Sequence, residues 1–292
     1  MDRKELETRW AKIKSWKAKG KRAPHKPLLL LYALGAWQQG RTKLQYAEEE
    51  AKLKDYFREF GPPNSAPGPN YPFVYLSSDK IWELSELHRI DGKINSSPKR
   101  LREKGISAQF PAEMQALLRE QPDLVGHLAE QLLQRNFPES LHQNILQAVG
   151  LELEPAFLLS KRRKRDPRFR GQILEAYGYA CAVCGFNLRL GHQPLALEAA
   201  HIKWHQAGGP DRAENGLALC SMHHKLFDLG AFRIDDSLRM QVSHKVHGEG
   251  LEYYLLRHQA QQIRLPHLKK YRPKEDYLDW HLQEVFQGYS RD

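Results

Sequence analysis

At 292 residues, with 41% hydrophobic and 27% charged side chains, the chain has room for two cores of ordinary size and lacks the bias of a fibrous or disordered sequence. Forty-five Lys and Arg against 35 Asp and Glu leave a net charge of +10, which favours a polyanionic partner. No apolar run is long enough to span a bilayer, and the start MDRKELETRW is charged where a secretory signal is apolar, so a cytoplasmic protein is expected.

The pattern predicts an α+β protein with a first domain over residues 1–159, a basic linker over 160–170 and a second domain over 171–292. Residues 2–20 read as a basic amphipathic helix, with Leu6, Trp10, Ile13 and Trp16 at spacings of three and four. In GKRAPHKPLLLLYALGAW, Pro24 and Pro27 mark a helix start, and Leu28 to Ala36 is apolar enough for a buried helix. Arg22, His25 and Lys26 then sit on a stiffened loop at a helix N-terminus, where backbone amides and cations can face a phosphate. A further helix is expected over 47–60. The five-proline stretch GPPNSAPGPNYPF follows, leads into a strand, FVYLSSDKIWEL, and presents Tyr71 and Pro72 in a fixed apolar pose. Residues 95–105 read as a basic turn carrying Lys99, Arg100 and Arg102, and 111–150 as two or three helices. The run SKRRKRDPRFRG is the junction, either lying along a polyanion or forming a solvated hinge.

All three cysteines fall in the second domain. Cys181 and Cys184 flank two residues, as do Cys220 and His223, and this two-by-two knuckle spacing predicts a structural zinc site rather than a disulfide framework. Between the pairs, LALEAAHI is a strand-like run ending at His201. A polar loop, KWHQAGGPDRAE, leads to Asn215, and a helix starting near Cys220 would put His224 and Asp228 on one face. Such a set suits metal-assisted phosphodiester hydrolysis, since a neutral histidine deprotonates water near neutral pH and a hard divalent ion neutralises phosphate charge. Beyond Asp228 a β-hairpin turns at Asp-Asp-Ser, and a C-terminal helix is expected to pack through Tyr277, Trp280 and Phe286.

The order A-H-I, G-G, E-N-G-L, L-C-x-x-H-H resembles the HNH, or ββα-metal, nucleases over about 55 residues. The resemblance implies that His201 is the general base, that Asn215 holds the loop and orients the base or binds metal, and that His224 is a ligand of a catalytic divalent ion such as Mg²⁺ or Mn²⁺. Asp228 stands where some members carry a further ligand. Ala200 departs from the pattern, because many members place a metal ligand immediately before the base; Glu198 is the available substitute.

In the first domain, GKRAPHKPLLLLYALG with the later N-Y-P-F loop and a basic turn resembles the sulfur-binding domain that precedes an HNH domain in restriction endonucleases acting on phosphorothioate-modified DNA. Sulfur in place of a non-bridging oxygen is softer and easier to desolvate, so a socket of Pro72 and the Tyr71 ring would accept it and penalise an oxygen left without partners. By the resemblance and this chemistry, Arg22, His25, Lys26 and Arg100 supply charge to the same phosphate and reach nearby base edges. The implied protein is a restriction endonuclease with phosphorothioate duplex DNA as partner, acting as a homodimer because two strands must be cut. Two rivals stand beside it: an HNH nuclease reading methylated or unmodified DNA, and a DNA-binding regulator with an inert HNH fold.

Overall fold

Asp2 starts the first helix, α1 (Arg3–Ala11), by accepting from the Glu5 amide at 2.8 Å. Leu6 and Trp10 bury its apolar side, with the Trp10 indole donating to the Leu128 carbonyl at 3.1 Å. The computed structural model describes residues 1–13, 24–63, 68–86, 89–90, 93–153 and 167–291. Most of the helix expected over 2–20 beyond Ala11 therefore lies outside the described residues, as do Trp16 and Arg22 and most of the basic linker expected over 160–170.

The chain divides into two compact units, Met1–Asn136 with His142–Lys161 and Phe137–Leu141 with Arg162–Asp292. In the first, Leu28 to Ala36 is apolar on every side, so its helix has no face to give to water. It forms α2 (His25–Gln38), buried from Pro27 through Ala36. Around it pack α3 (Tyr46–Phe60), α4 (Asn70–Tyr75) and α7 (Asp123–Asn136), the last following α5 (Pro98–Glu103) and α6 (Ala112–Glu120). Strand β1 (Lys43–Gln45) and strand β2 (Glu83–Leu84) flank a strand at Ser107–Gln109, both antiparallel, with Leu44 and Leu84 opposite Ala108.

Two expectations are corrected here. Residues 70–79 are helical, as α4 and a 3-10 turn (Leu76–Asp79), and strand pairing waits until Glu83. Phe73, Val74 and Leu76 are all buried, which a half-buried strand with its two-residue alternation cannot achieve. Pro72 falls in the first turn, where a helix tolerates it. The basic stretch after Asn95 likewise closes into α5, with Pro98 at its start, after the short hairpin of β3 (Arg89–Ile90) and β4 (Lys93–Ile94). The strand Ser107–Gln109 is thus β5, and α8 (Glu139–Val149) is the third helix of the expected 111–150 group.

The second unit is built on a hairpin of β8 (Leu197–His201) and β9 (Gly216–Cys220), preceded by α9 (Pro167–Ala176) and a small hairpin of β6 (Arg189–Leu190) and β7 (Gln193–Pro194). The helix begins at Pro167, two residues before the expected Phe169, because proline suits a first helical position. The β8–β9 register sets Glu198 opposite Leu219, Ala200 opposite Leu217 and His201 opposite Gly216. Strand β9 runs directly into α10 (Ser221–Asp228). Gly216 has a packing reason: a Cβ there would lie 2.3 Å from Ile173 Cδ1, so any larger residue would force that side chain of α9 to shift. Beyond α10 come the hairpin of β10 (Phe232–Ile234) and β11 (Met240–Val242), the short α11 (Leu251–Tyr254) and the C-terminal α12 (Glu275–Glu284). Trp280 and Phe286 are buried as expected. Among the described residues no helix is long and apolar enough to cross a membrane.

Candidate functional site

Cys181 and Cys184 lie on a tight turn after α9, while Cys220 and His223 close the end of β9 and open α10. The four ligand atoms lie within 4.8 Å of one another. Cys184 Sγ is 4.0 Å from Cys220 Sγ, and His223 Nδ1 is 3.1 Å from Cys220 Sγ and 3.8 Å from Cys181 Sγ. Sulfurs around tetrahedral zinc stand about 3.8 Å apart, so the set fits that ion. His223 Nε2 lies 3.1 Å from the Tyr254 carbonyl, a bond that puts the ring proton there and leaves the Nδ1 lone pair facing the sulfurs. Hydrogen bonds from Cys184 and Cys220 hold the Cys181 thiol far below its ordinary range, in the thiolate form a zinc ligand needs.

At the other end of the hairpin, His201 closes β8 with its side chain 12% exposed. Its ring stacks on Phe169 with centroids 4.2 Å apart, and its Nε2 meets Asp211 Oδ1 at 2.7 Å. Asn215 is wholly buried and fully used. Its Oδ1 accepts from the Lys203 amide at 2.9 Å, and its Nδ2 donates to the carbonyls of Lys203 and Pro210, each at 3.0 Å. The asparagine therefore shuts the 203–210 loop, which brings Asp211 back to His201. Gly209 is required at the closure, because a Cβ there would fall 1.8 Å from the Lys203 carbonyl oxygen.

His224 is buried between two carboxylates, its Nδ1 2.6 Å from Glu198 Oε2 and its Nε2 3.2 Å from Asp228 Oδ2. Burial alone would drive the imidazole pKa down, but Asp228 and Glu198 override it and lift it to about 9. Burial would raise the Asp228 carboxyl, yet His224 and Ser140 hold it below the ordinary carboxylate value. Asp228 is fully engaged: its Oδ1 accepts from the Trp204 indole at 2.9 Å, and its Oδ2 meets both Ser140 and His224. Glu198 is the more open of the pair, with its side chain 43% exposed, and it also accepts from Ser221 Oγ at 2.7 Å. It shares a side of β8 with Ala200, so the longer carboxylate two residues earlier reaches the ground Ala200 leaves bare.

In the first unit, Asn70 and Tyr71 at the start of α4 face Ile94 and the 95–98 turn across an open cleft of about 300 Å³. Asn70 Nδ2 donates to the Ser96 carbonyl at 2.9 Å and sets the cleft's floor. Tyr71 is 51% exposed and stacks on Tyr75 with centroids 6.1 Å apart. Pro72 is buried inside the first turn of α4, so the apolar neighbours of Tyr71 in the cleft are Ile94 and Pro98. His25 turns inward, 6% exposed, against Phe57 with ring centroids 5.2 Å apart. Lys26 pairs with Asp79 and donates to the Tyr75 carbonyl at 3.1 Å, and Arg100 pairs with Glu86.

The structure thus gathers the four soft ligands, links His201 to Asn215 through one loop, and ties β8 to His224 through Glu198. Sequence reading passed over Asp211, Phe169 and Trp204. Of these only Asp211 carried a signal, a carboxylate beside a Gly-Gly-Pro turn that had to fold back on the strand end.

Fold and site together define a two-unit DNA endonuclease whose cutting unit is of the HNH type and whose other unit is a DNA-recognition module. Residues 3–154 match the ScoMcrA-like DNA sulfur-binding domain and residues 181–235 the HNH endonuclease domain. The chain belongs to the ScoMcrA-like DNA sulfur-binding family. No curated protein matches it. Similar solved structures include the sulfur binding domain of ScoMcrA complexed with phosphorothioated DNA, at 23% identity and a TM-score of 0.43, covering 52% of this chain and 96% of that one. The sulfur binding domain of SprMcrA, also complexed with phosphorothioated DNA, is 20% identical with a TM-score of 0.44, covering 51% and 95%. The Type IV phosphorothioation-dependent restriction endonuclease ScoMcrA is 23% identical with a TM-score of 0.42, covering 49% of this chain and 28% of that larger one.

Proposed function

We propose that this protein is a restriction endonuclease that binds duplex DNA carrying a backbone phosphorothioate and hydrolyses phosphodiester bonds nearby. The observation that carries the cutting half is the His201–Asp211 contact: a strand-end imidazole oriented by a carboxylate, a group able to take a proton from water near neutral pH. Phe169 under the ring and the Asn215-closed loop fix the imidazole in place. Asp211 positions the base, as the carboxylate does in a hydrolytic triad.

Glu198 and His224 Nδ1 form the donor pair that would hold the catalytic divalent ion, an oxygen and an imidazole suited to Mg²⁺ or Mn²⁺. Bound there, the ion supplies charge neutralisation at the scissile phosphate and the leaving oxygen. Asp228, buried and fastened by Trp204, acts behind His224 as its orienting partner. Zinc in the Cys181, Cys184, Cys220, His223 cage staples the start of α10. Ligand thiolates of this kind persist in a reducing compartment, which supports a cytoplasmic location. Two cuts across a duplex call for two such sites, and hence a homodimer.

For recognition, the cleft beside Tyr71 is the candidate socket for sulfur: an aromatic face with Ile94 and Pro98, next to polar Asn70. Lys26 and Arg100 supply charge to the bound phosphate by exchanging Asp79 and Glu86 for it. The test is His201→Ala in the full chain with Mg²⁺ or Mn²⁺. Retained zinc, retained binding of a phosphorothioate duplex and no cleavage support the assignment; undiminished cleavage removes His201 as base. Tight binding with no cleavage by the unaltered protein favours the inert regulator instead.

A further inference from the structure

The second unit carries a basic segment outside the residues that match the HNH domain. No Asp or Glu stands between Glu252 and Glu275. Within that stretch Arg264, His267, Lys269, Lys270, Arg272 and Lys274 are all exposed. Most of its apolar residues turn the other way: Ile263, Pro266 and Pro273 are buried, and Leu265 and Tyr271 pack against the core, while Leu268 is exposed. The segment is therefore a fixed strap with one face in the protein and a face of one sign outside.

Its backbone is tied to the elements that build the cutting site. The Arg264 amide donates to the Ala182 carbonyl between the two knuckle cysteines at 2.8 Å. The His267 amide donates at 2.9 Å to Ala176, which ends the helix that puts Phe169 under His201. The Lys274 amide donates at 3.1 Å to the carbonyl of Glu214, the neighbour of Asn215, and its Nζ pairs with the same residue's carboxylate at 3.3 Å. Lys274 is thus the strap's anchor. Among the described residues, Arg264, Lys269, Lys270 and Arg272 have no ion-pair partner.

We propose that the 264–274 strap is a phosphate track: it takes the backbone of a DNA duplex on Arg264, Lys269, Lys270 and Arg272 and leads it toward His201. This rests on the nuclease reading above and adds to it the route by which substrate reaches the cutting unit. A solvated face needs no fixed backbone and usually mixes signs, whereas a repeating polyanion is matched by cations of one sign on a rigid support. The contacts are to phosphates, so the track contributes affinity irrespective of sequence or sulfur.

The test compares the full-length protein with the Arg264→Ala/Lys269→Ala/Lys270→Ala/Arg272→Ala variant on paired phosphorothioate and plain duplexes. Without divalent ion, the slope of log Kd against log salt is expected to fall by about 3.6, from roughly 0.9 for each of four lost phosphate contacts. With Mg²⁺ or Mn²⁺, KM for cleavage should rise at least ~10-fold at physiological salt while kcat stays within about twofold. Zinc content and the preference for the modified duplex should not change. Arg264→Lys/Arg272→Lys, which keeps the charge, should keep the slope. An unchanged slope, or a loss of kcat without a change of slope, overturns the track. If the unaltered protein cuts nothing while the variant still loses slope, the nuclease reading fails and the track stands.

Discussion

His223 and His224 are consecutive residues that leave α10 about 100° apart and enter opposite chemistries. His223 joins three sulfurs and has its far nitrogen fixed by the Tyr254 carbonyl; His224 sits between the carboxylates of Glu198 and Asp228. The soft cage sets where the helix begins, and that fixes where the hard-donor imidazole stands. A single residue step of helix therefore separates a group that holds the fold from a group proposed to serve the reaction, and the two should fail in different ways when altered.

The largest effect is expected from Cys220→Ser. It removes a thiolate from the cage, and structural zinc contributes folding energy directly. Zinc content by elemental analysis should fall, the second unit should lose its cooperative thermal transition, and cleavage should vanish. His224→Ala should sharpen the contrast: zinc stays bound and cleavage drops by ~10³-fold or more, the scale of losing a catalytic ion's ligand. If His224→Ala also sheds zinc, the two histidines are not separable and the division of labour is wrong.

Asp211→Asn comes next. An amide in place of the carboxylate can turn its NH₂ toward Nε2 and favour the wrong tautomer of His201, so kcat should fall by about 10²- to 10⁴-fold with DNA binding unchanged. A loss confined to KM would place Asp211 in DNA binding instead. Asp228→Asn should cost about 10- to 100-fold in divalent-ion affinity, recoverable with more Mn²⁺, as for a partner behind a metal ligand. The smallest effect belongs to the other unit. Tyr71→Ala should erode the preference for phosphorothioate over plain duplex by roughly tenfold, the order of one aromatic contact, with cleavage chemistry intact; unchanged discrimination removes Tyr71 from the socket.

The same contrast explains how much of the molecule could be read from its residues. The cluster of Cys181, Cys184, Cys220 and His223, which could hold a metal ion, was legible because these residues come in local pairs, whose spacing is set by the turn that holds them. Helix α2 was legible because Leu28 to Ala36 is apolar all round. Contacts across the chain were not. Asp211 meets His201 only because Asn215 shuts the intervening loop, and Asp228 is held by Trp204 and Ser140, which no spacing rule connects. The FVYL stretch after the proline-rich loop read as a strand because Phe73 to Leu76 is apolar, but three buried side chains in four residues belong to a helix packed on two sides. Lys26 and Arg100 looked like cations awaiting a phosphate, and their carboxylate partners, Asp79 and Glu86, became visible only in three dimensions.

The most direct test places a phosphorothioate duplex and its plain counterpart in the same tube with the full-length protein and Mg²⁺ or Mn²⁺, and follows the cleavage rate of each. The account predicts that the modified duplex is cut and the plain one is left largely intact. Equal rates on the two duplexes would contradict it and point to a nuclease that reads something other than sulfur.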